Sequence, residues 1–175
     1  MAAPFEPELL DALEEAAVDD WQHDVWRQVL EGTPPLRTNN RGGRWNPPDC
    51  ETLYASLEAE VAAAEIAYLL AQQPIPINRE LVTYGLHVHL TRVVDLSQDA
   101  ALGHLGLSTD DLESDDMVAC QRIGDAAAWL GFGGLLVPSV RADGVNLVIF
   151  VNNMEPDDGI EEFGAFPYPP GPAQE

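Results

Sequence analysis

Three of the chain's eight arginines, Arg37, Arg41 and Arg44, fall within eight residues of the stretch TPPLRTNNRGGRWNPPD. So many Gly, Pro and Asn residues forbid regular structure, and loops of this kind commonly carry function. A guanidinium grips a phosphate through two parallel hydrogen bonds, and Gly42 and Gly43 let backbone approach a ligand closely. The cluster reads either as an anion site or as a surface loop whose arginines pair with the abundant acids. Glu65 lies four residues after Val61 and three before Tyr68. That places it beside the apolar stripe of a helix, where a carboxylate needs partners or a task, unless its head reaches water from the rim. Ser139 follows Pro138 at the end of a short apolar run and precedes a turn-like ADG. Outside a GxSxG setting it reads as a ligand-binding or turn-satisfying hydroxyl, not as a nucleophile. His87 and His89 share one strand face with no third ligand at suggestive spacing, which points to a solvent-facing pair and away from a metal site. There is no Walker loop, and the GFGG at 131–134 lacks the spacing of a dinucleotide fingerprint.

The elements that must position these groups alternate between helix and strand. Residues 8–20 read as an acidic helix with Leu9, Leu10, Leu13 and Ala17 at helical spacing, an extension occupying 1–22. A short strand is expected around 25–30 and another at 53–55. Ser56 then offers an N-cap for a helix to Ala71, with Leu57, Val61, Ala64 and Tyr68 as its core stripe and Pro74 and Pro76 ending it. Residues 81–94 alternate, with Val82, Tyr84, Leu86, Val88 and Leu90 on one face and Thr83, His87, His89 and Thr91 on the other. The acidic stretch 97–117 is expected to hold a short helix and a solvated loop without chemistry. A helix over 120–130 closes on glycines, and strands follow at 135–137 and 146–151. The domain proper is therefore placed at 23–153, followed by an acidic, proline-rich and mobile tail over 154–175.

With 175 residues and 46% apolar content, the chain can fill one hydrophobic core. No apolar run reaches the roughly 20 residues of a membrane span, and the start carries acids where a signal peptide needs basic residues, so the cytoplasm is the expected location. Cys50 and Cys120 match no zinc spacing and read as structural thiols. Thirty acids against eight arginines, and no lysine, give a formal net charge of −22. Such a surface repels phosphate backbones and disfavours direct nucleic-acid binding. A basic protein partner, or simply an acid-rich host proteome, accounts for the excess.

The order of the motifs points further. GGRWNPP, LYAS, AAAEI with its glutamate eleven residues after Tyr54, and QRIGDAAAWLGFGGLLVPSVRADGVNLVIF together resemble the RES domain over residues 24 to 151. The resemblance implies an α+β fold similar to ADP-ribosyltransferase toxins: two small, mostly antiparallel sheets flanked by helices, with an NAD cleft between them. It assigns the family's arginine, glutamate and serine to Arg44, Glu65 and Ser139. Arg27, Tyr54, Asn46 and Arg41 become substrate-binding candidates, Arg27 and Arg44 for the pyrophosphate and Tyr54 for the nicotinamide or ribose. The implied activity is cleavage of the nicotinamide–ribose bond by hydrolysis or phosphorolysis, with NAD as substrate and no metal. Transfer of ADP-ribose to a protein, or silent nucleotide binding, are the competing readings. The resemblance also implies an Xre-type helix-turn-helix antitoxin that blocks the active site.

Overall fold

The computed structural model describes residues 2–167. Helix α1 (Pro7–Glu15) leads into strand β1 (Ala17–Leu30), followed by β2 (Thr52–Ser56), α2 (Ala59–Ala71) and β3 (Leu81–Asp95). The short helices α3 (Asp99–His104) and α4 (Thr109–Glu113) precede α5 (Val118–Trp129), after which come β4 (Gly134–Pro138), β5 (Val145–Phe150) and β6 (Gly159–Pro167). No helix among the described residues is long and apolar enough to cross a membrane.

Among the described residues six strands join one sheet in the order β1-β2-β5-β4-β3-β6, and β1 also pairs with β3 so that the ladder closes on itself. The pairings are antiparallel except β3 with β4. The expectation of two sheets is corrected by two slender junctions: the single pair Trp26 with Ser56 links β1 to β2, and residues 93–95 run parallel to 134–136. One cluster, including Val25, Leu53, Leu86, Val88, Leu90, Leu147 and Ile149, fills the inside of the sheet. A second, under α1 and α5, gathers Leu13, Trp45, Ile123, Phe132 and Phe150.

Both ends differ from the sequence expectation. The acidic helix stops at Glu15, and residues 17–30 form one strand paired with β3 along its length. Acids of this strand find partners across the ladder: Asp24 meets His87 at 2.7 Å, and Asp20, inside the stretch that reads as helix, meets His89 at 2.6 Å. This tertiary pairing overrides local propensity, and an extension boundary at 22 would fall inside β1. The expected tail contains β6, which pairs with β3 over residues 82–89 because that edge is otherwise open. Of that expected tail, YPPGPAQE, residues 168–175, lies outside the described residues.

Helix α2 also begins differently. Its N-cap is Glu58 without a side-chain cap, whereas Ser56 ends β2 in the buried interior. There its hydroxyl donates to Asn146 Oδ1 at 2.7 Å, a partner that capping could not supply. The buried helix residues are Val61, Ala62 and Ala63, so Ala64 and Tyr68 lie off the core. His87 is exposed as expected and His89 is partly covered.

Candidate active site

A cleft of about 590 Å³ opens beside the junction of β1 and β2. Its walls come from the ends of these strands, one face of α2, the loop carrying Arg44, and the turn after β4. On α2, the residues that reach it include Ala62, Glu65, Ile66 and Leu69, which share the i, i+3, i+4, i+7 spacing of one helix face. Glu65 therefore belongs to a cleft-facing stripe adjacent to the core-facing one.

Glu65 is held by two donors on one oxygen. Ser139 Oγ donates to Oε1 at 2.6 Å, and Asn146 Nδ2 donates to the same atom at 2.7 Å. Ser56 fixes Asn146 in turn, and the backbone N–H groups of Arg141 and Ala142 donate to Ser139 Oγ at 3.1 and 3.4 Å. Among the described residues Oε2 accepts no hydrogen bond. A carboxylate pinned through one oxygen keeps the other available for a developing positive charge. The turn bearing Ser139 lies close to α2 because Gly144 has no side chain: a Cβ there would come within 2.5 Å of Val61 Cγ2.

Ser139 thus occupies a different place from the one expected. Its hydroxyl is committed to Glu65 and the turn, and it does not line the cleft. It is a positioning residue for Glu65. Asn146, absent from the sequence candidates, performs the matching task from β5. Its signal was available, since an asparagine opening the apolar run VNLVIF is a buried polar group that needs a partner.

Of the three clustered arginines only Arg44 lines the cleft; Arg37 and Arg41 are exposed away from it. The candidate anion cluster is corrected accordingly: Arg27 from β1 and Arg141 from the turn after β4 join Arg44 there. Arg27 donates from Nη1 to Tyr54 O at 2.7 Å and from Nη2 to Arg37 O at 3.0 Å, while its buried Nε has no partner among the described residues. Burial lowers its pKa, because a guanidinium cut off from water loses hydration that two carbonyls replace only in part. The next residue, Gln28, also lines the cleft and is only 7% exposed. Its Nε2 donates to Thr83 Oγ1 at 3.0 Å, and its buried Oε1 is likewise unpartnered.

The loop carrying Arg44 is irregular in sequence and tightly fastened in space. Trp45 is only 4% exposed, and Asn46 is completely buried. Tyr54 donates its hydroxyl to Asn46 Oδ1 at 2.6 Å and accepts from Trp45 N at 3.2 Å, while Asn46 Nδ2 donates to Cys50 O at 2.9 Å. Asn46 is corrected from a substrate contact to a loop clamp: it lies off the cleft with its amide already engaged. Burial, the largest influence, pushes the Tyr54 phenol well above its ordinary range, so it remains a donor. Helix α5 completes the anchorage, with Gln121 Nε2 donating to Gly43 O at 2.8 Å. Trp45 O sits where a Cβ on Gly124 would be, at 1.6 Å, which only glycine permits. The acidic stretch expected to be solvated contributes Leu112, Asp115 and Met117 to the cleft wall.

The sequence profile of the RES domain matches residues 11–168. This chain belongs to that family. The RES domain here is 35% identical over 158 residues to proteins named NAD(+) phosphorylase MbcT from Mycobacterium bovis and Mycobacterium tuberculosis, covering 79% of this chain and 82% of theirs. Its fold is similar to that in the crystal structure of the M. tuberculosis MbcT-MbcA toxin-antitoxin complex, with a TM-score of 0.81 and 23% identity. That match covers 93% of this chain and 92% of the other.

Proposed function

We propose that this RES domain is an NAD-degrading toxin that cleaves the bond between nicotinamide and ribose, with phosphate or water as acceptor. One arrangement carries the proposal: a carboxylate pinned through Oε1 in a cleft lined by three arginines that pair with no carboxylate among the described residues. Breaking the glycosidic bond builds positive charge on the ribose, which Glu65 would stabilise without having to reorient. Arg27 and Arg44 would hold the two phosphates of the dinucleotide, so the reacting carbon comes to rest at Glu65. The Tyr54 ring would wall the ribose or nicotinamide, its hydroxyl being spent on the loop. NAD is the substrate, and the chemistry calls for no metal.

The relatives named as NAD(+) phosphorylases and the toxin–antitoxin neighbour support this reading. We place the fold with the ADP-ribosyltransferase-like enzymes and the activity in the cytoplasm. An Xre-type helix-turn-helix antitoxin is the proposed partner, inserted over the Arg44 loop. The purified chain should consume NAD and release nicotinamide. Glu65→Ala should lower that rate about a thousandfold while melting like the parent. Undiminished NAD loss in the variant would remove Glu65 from the chemistry and the reading with it.

A further inference from the structure

Phosphorolysis requires a second anion in a site that already holds two phosphates and a carboxylate. An inorganic phosphate approaching the ribose beside Glu65 is repelled by that carboxylate unless a cation offsets the charge. Arg27 and Arg44 approach from the β1 and loop side, and the proposed function commits them to the dinucleotide. Arg141 occupies the other side.

Three observations put Arg141 on the Glu65 side of the cleft. Its backbone N–H donates to Ser139 Oγ, which donates to Glu65 Oε1. Its guanidinium lies 3.3 Å from the ring centroid of Tyr68, one helical turn beyond Glu65 on α2. Arg141, Tyr68 and Glu65 all line the cleft. Stacking engages the face of the guanidinium and leaves its edge, where the N–H groups lie. Among the described residues that edge donates to no acceptor and pairs with no carboxylate. By contrast Arg92 and Arg122, which also lie over aromatic rings, each pair with a glutamate.

We propose that Arg141, braced on Tyr68, binds the inorganic phosphate that serves as acceptor, and so decides between phosphorolysis and hydrolysis. This rests on the reading of the cleft as an NAD-cleaving site. The nicotinamide–C1′ bond breaks with its electron pair leaving on nicotinamide, and a phosphate oxygen forms the new bond to C1′. The products are nicotinamide and ADP-ribose 1-phosphate; the remaining phosphate proton passes to water as the ester ionises, and Glu65 ends unchanged.

The test measures NAD loss and product identity against phosphate concentration for the full chain and for Arg141→Gln and Tyr68→Leu. Ionic strength is matched with chloride, and thermal melts check the fold. Arg141→Gln should raise the KM for phosphate about tenfold or more, shift product from ADP-ribose 1-phosphate towards ADP-ribose, and leave the KM for NAD within about twofold. Tyr68→Leu should move the same quantities by less, since it frees the guanidinium without removing it. An unchanged phosphate KM in Arg141→Gln, with a phosphate-dependent parent, overturns the assignment alone. A raised NAD KM with an unmoved phosphate KM also overturns it, by giving Arg141 a phosphate of the dinucleotide. A parent that consumes NAD equally with and without phosphate sinks the inference while leaving NAD cleavage standing. A parent that consumes none sinks both.

Discussion

Along the outward face of β3, His87 and His89 meet Asp24 and Asp20 of β1, and Arg92 meets Glu14 of α1, at 2.6–2.7 Å. In the cleft, Arg27, Arg44 and Arg141 meet no carboxylate among the described residues, in a chain with 30 acids. The first region spends these side chains on fastening β3 to β1 and α1, in exposed pairs worth little individually. The second leaves its arginines uncompensated, at an electrostatic cost that an anionic ligand would recover. Among the described residues Arg37, Arg41 and Arg79 pair with no carboxylate either, but they stand exposed, where water takes the partner's place; the three cleft arginines are partly covered, so what sets them apart is missing compensation where water is reduced.

The sharpest test exchanges the two regions. Arg27→Met removes a half-buried cation held only by backbone carbonyls, so NAD turnover should fall about a hundredfold or more while the melting temperature stays level or rises. Arg92→Gln should do the reverse, leaving turnover intact and lowering the melting temperature by about 1–3 °C. Loss of stability in Arg27→Met with turnover retained would break the comparison.

A second test asks whether the Arg44 loop depends on its backing. Gly124→Ala drives a methyl group into Trp45 O, and the loop or α5 must move. A cost of about 2–3 kcal/mol is expected, with a proportionate drop in melting temperature and a weaker grip on NAD, because Arg44 neighbours the displaced residue. A melt and an NAD KM matching the parent would show that the loop is held elsewhere.

How much of this was legible in the sequence divides along the same line. The motif order located Arg27, Arg44, Tyr54 and Glu65, all of which line the cleft. The alternation through residues 86–91 survives as buried and outward positions on β3. What escaped depends on partners distant in sequence. Asp19 and Asp20 look like helix-surface acids until β3 supplies Arg92 opposite the first and His89 within reach of the second. Asn46 looks like a loop amide until Tyr54 and Cys50 consume it. Arg41 looks equivalent to Arg44 because loop composition says nothing about which way each side chain leaves the backbone. Arg141 stands in the PSVR run of the motif order, but its task is illegible there because it comes from Tyr68, 73 residues earlier.

The smallest effect belongs to His89, and it probes the paired region through pH. Its Nδ1 faces Asp157 O at 2.9 Å and its Nε2 faces Asp20 Oδ1 at 2.6 Å. Both ring nitrogens thus have acceptors, a pattern that only the protonated imidazole satisfies as two donors. The backbone bond to Asp157 and then the Asp20 carboxylate raise its pKa above the ordinary histidine value. A raised folded pKa contributes stability that is complete below the unfolded value of about 6.5 and is lost as pH climbs through the folded one. The melting-temperature difference between the parent and His89→Gln should be largest near about pH 6 and shrink towards about pH 9. NAD turnover at a permissive temperature should not distinguish the two proteins. A difference that holds constant or widens with rising pH would mean the imidazole is neutral there, and that this strand junction does not rely on charge.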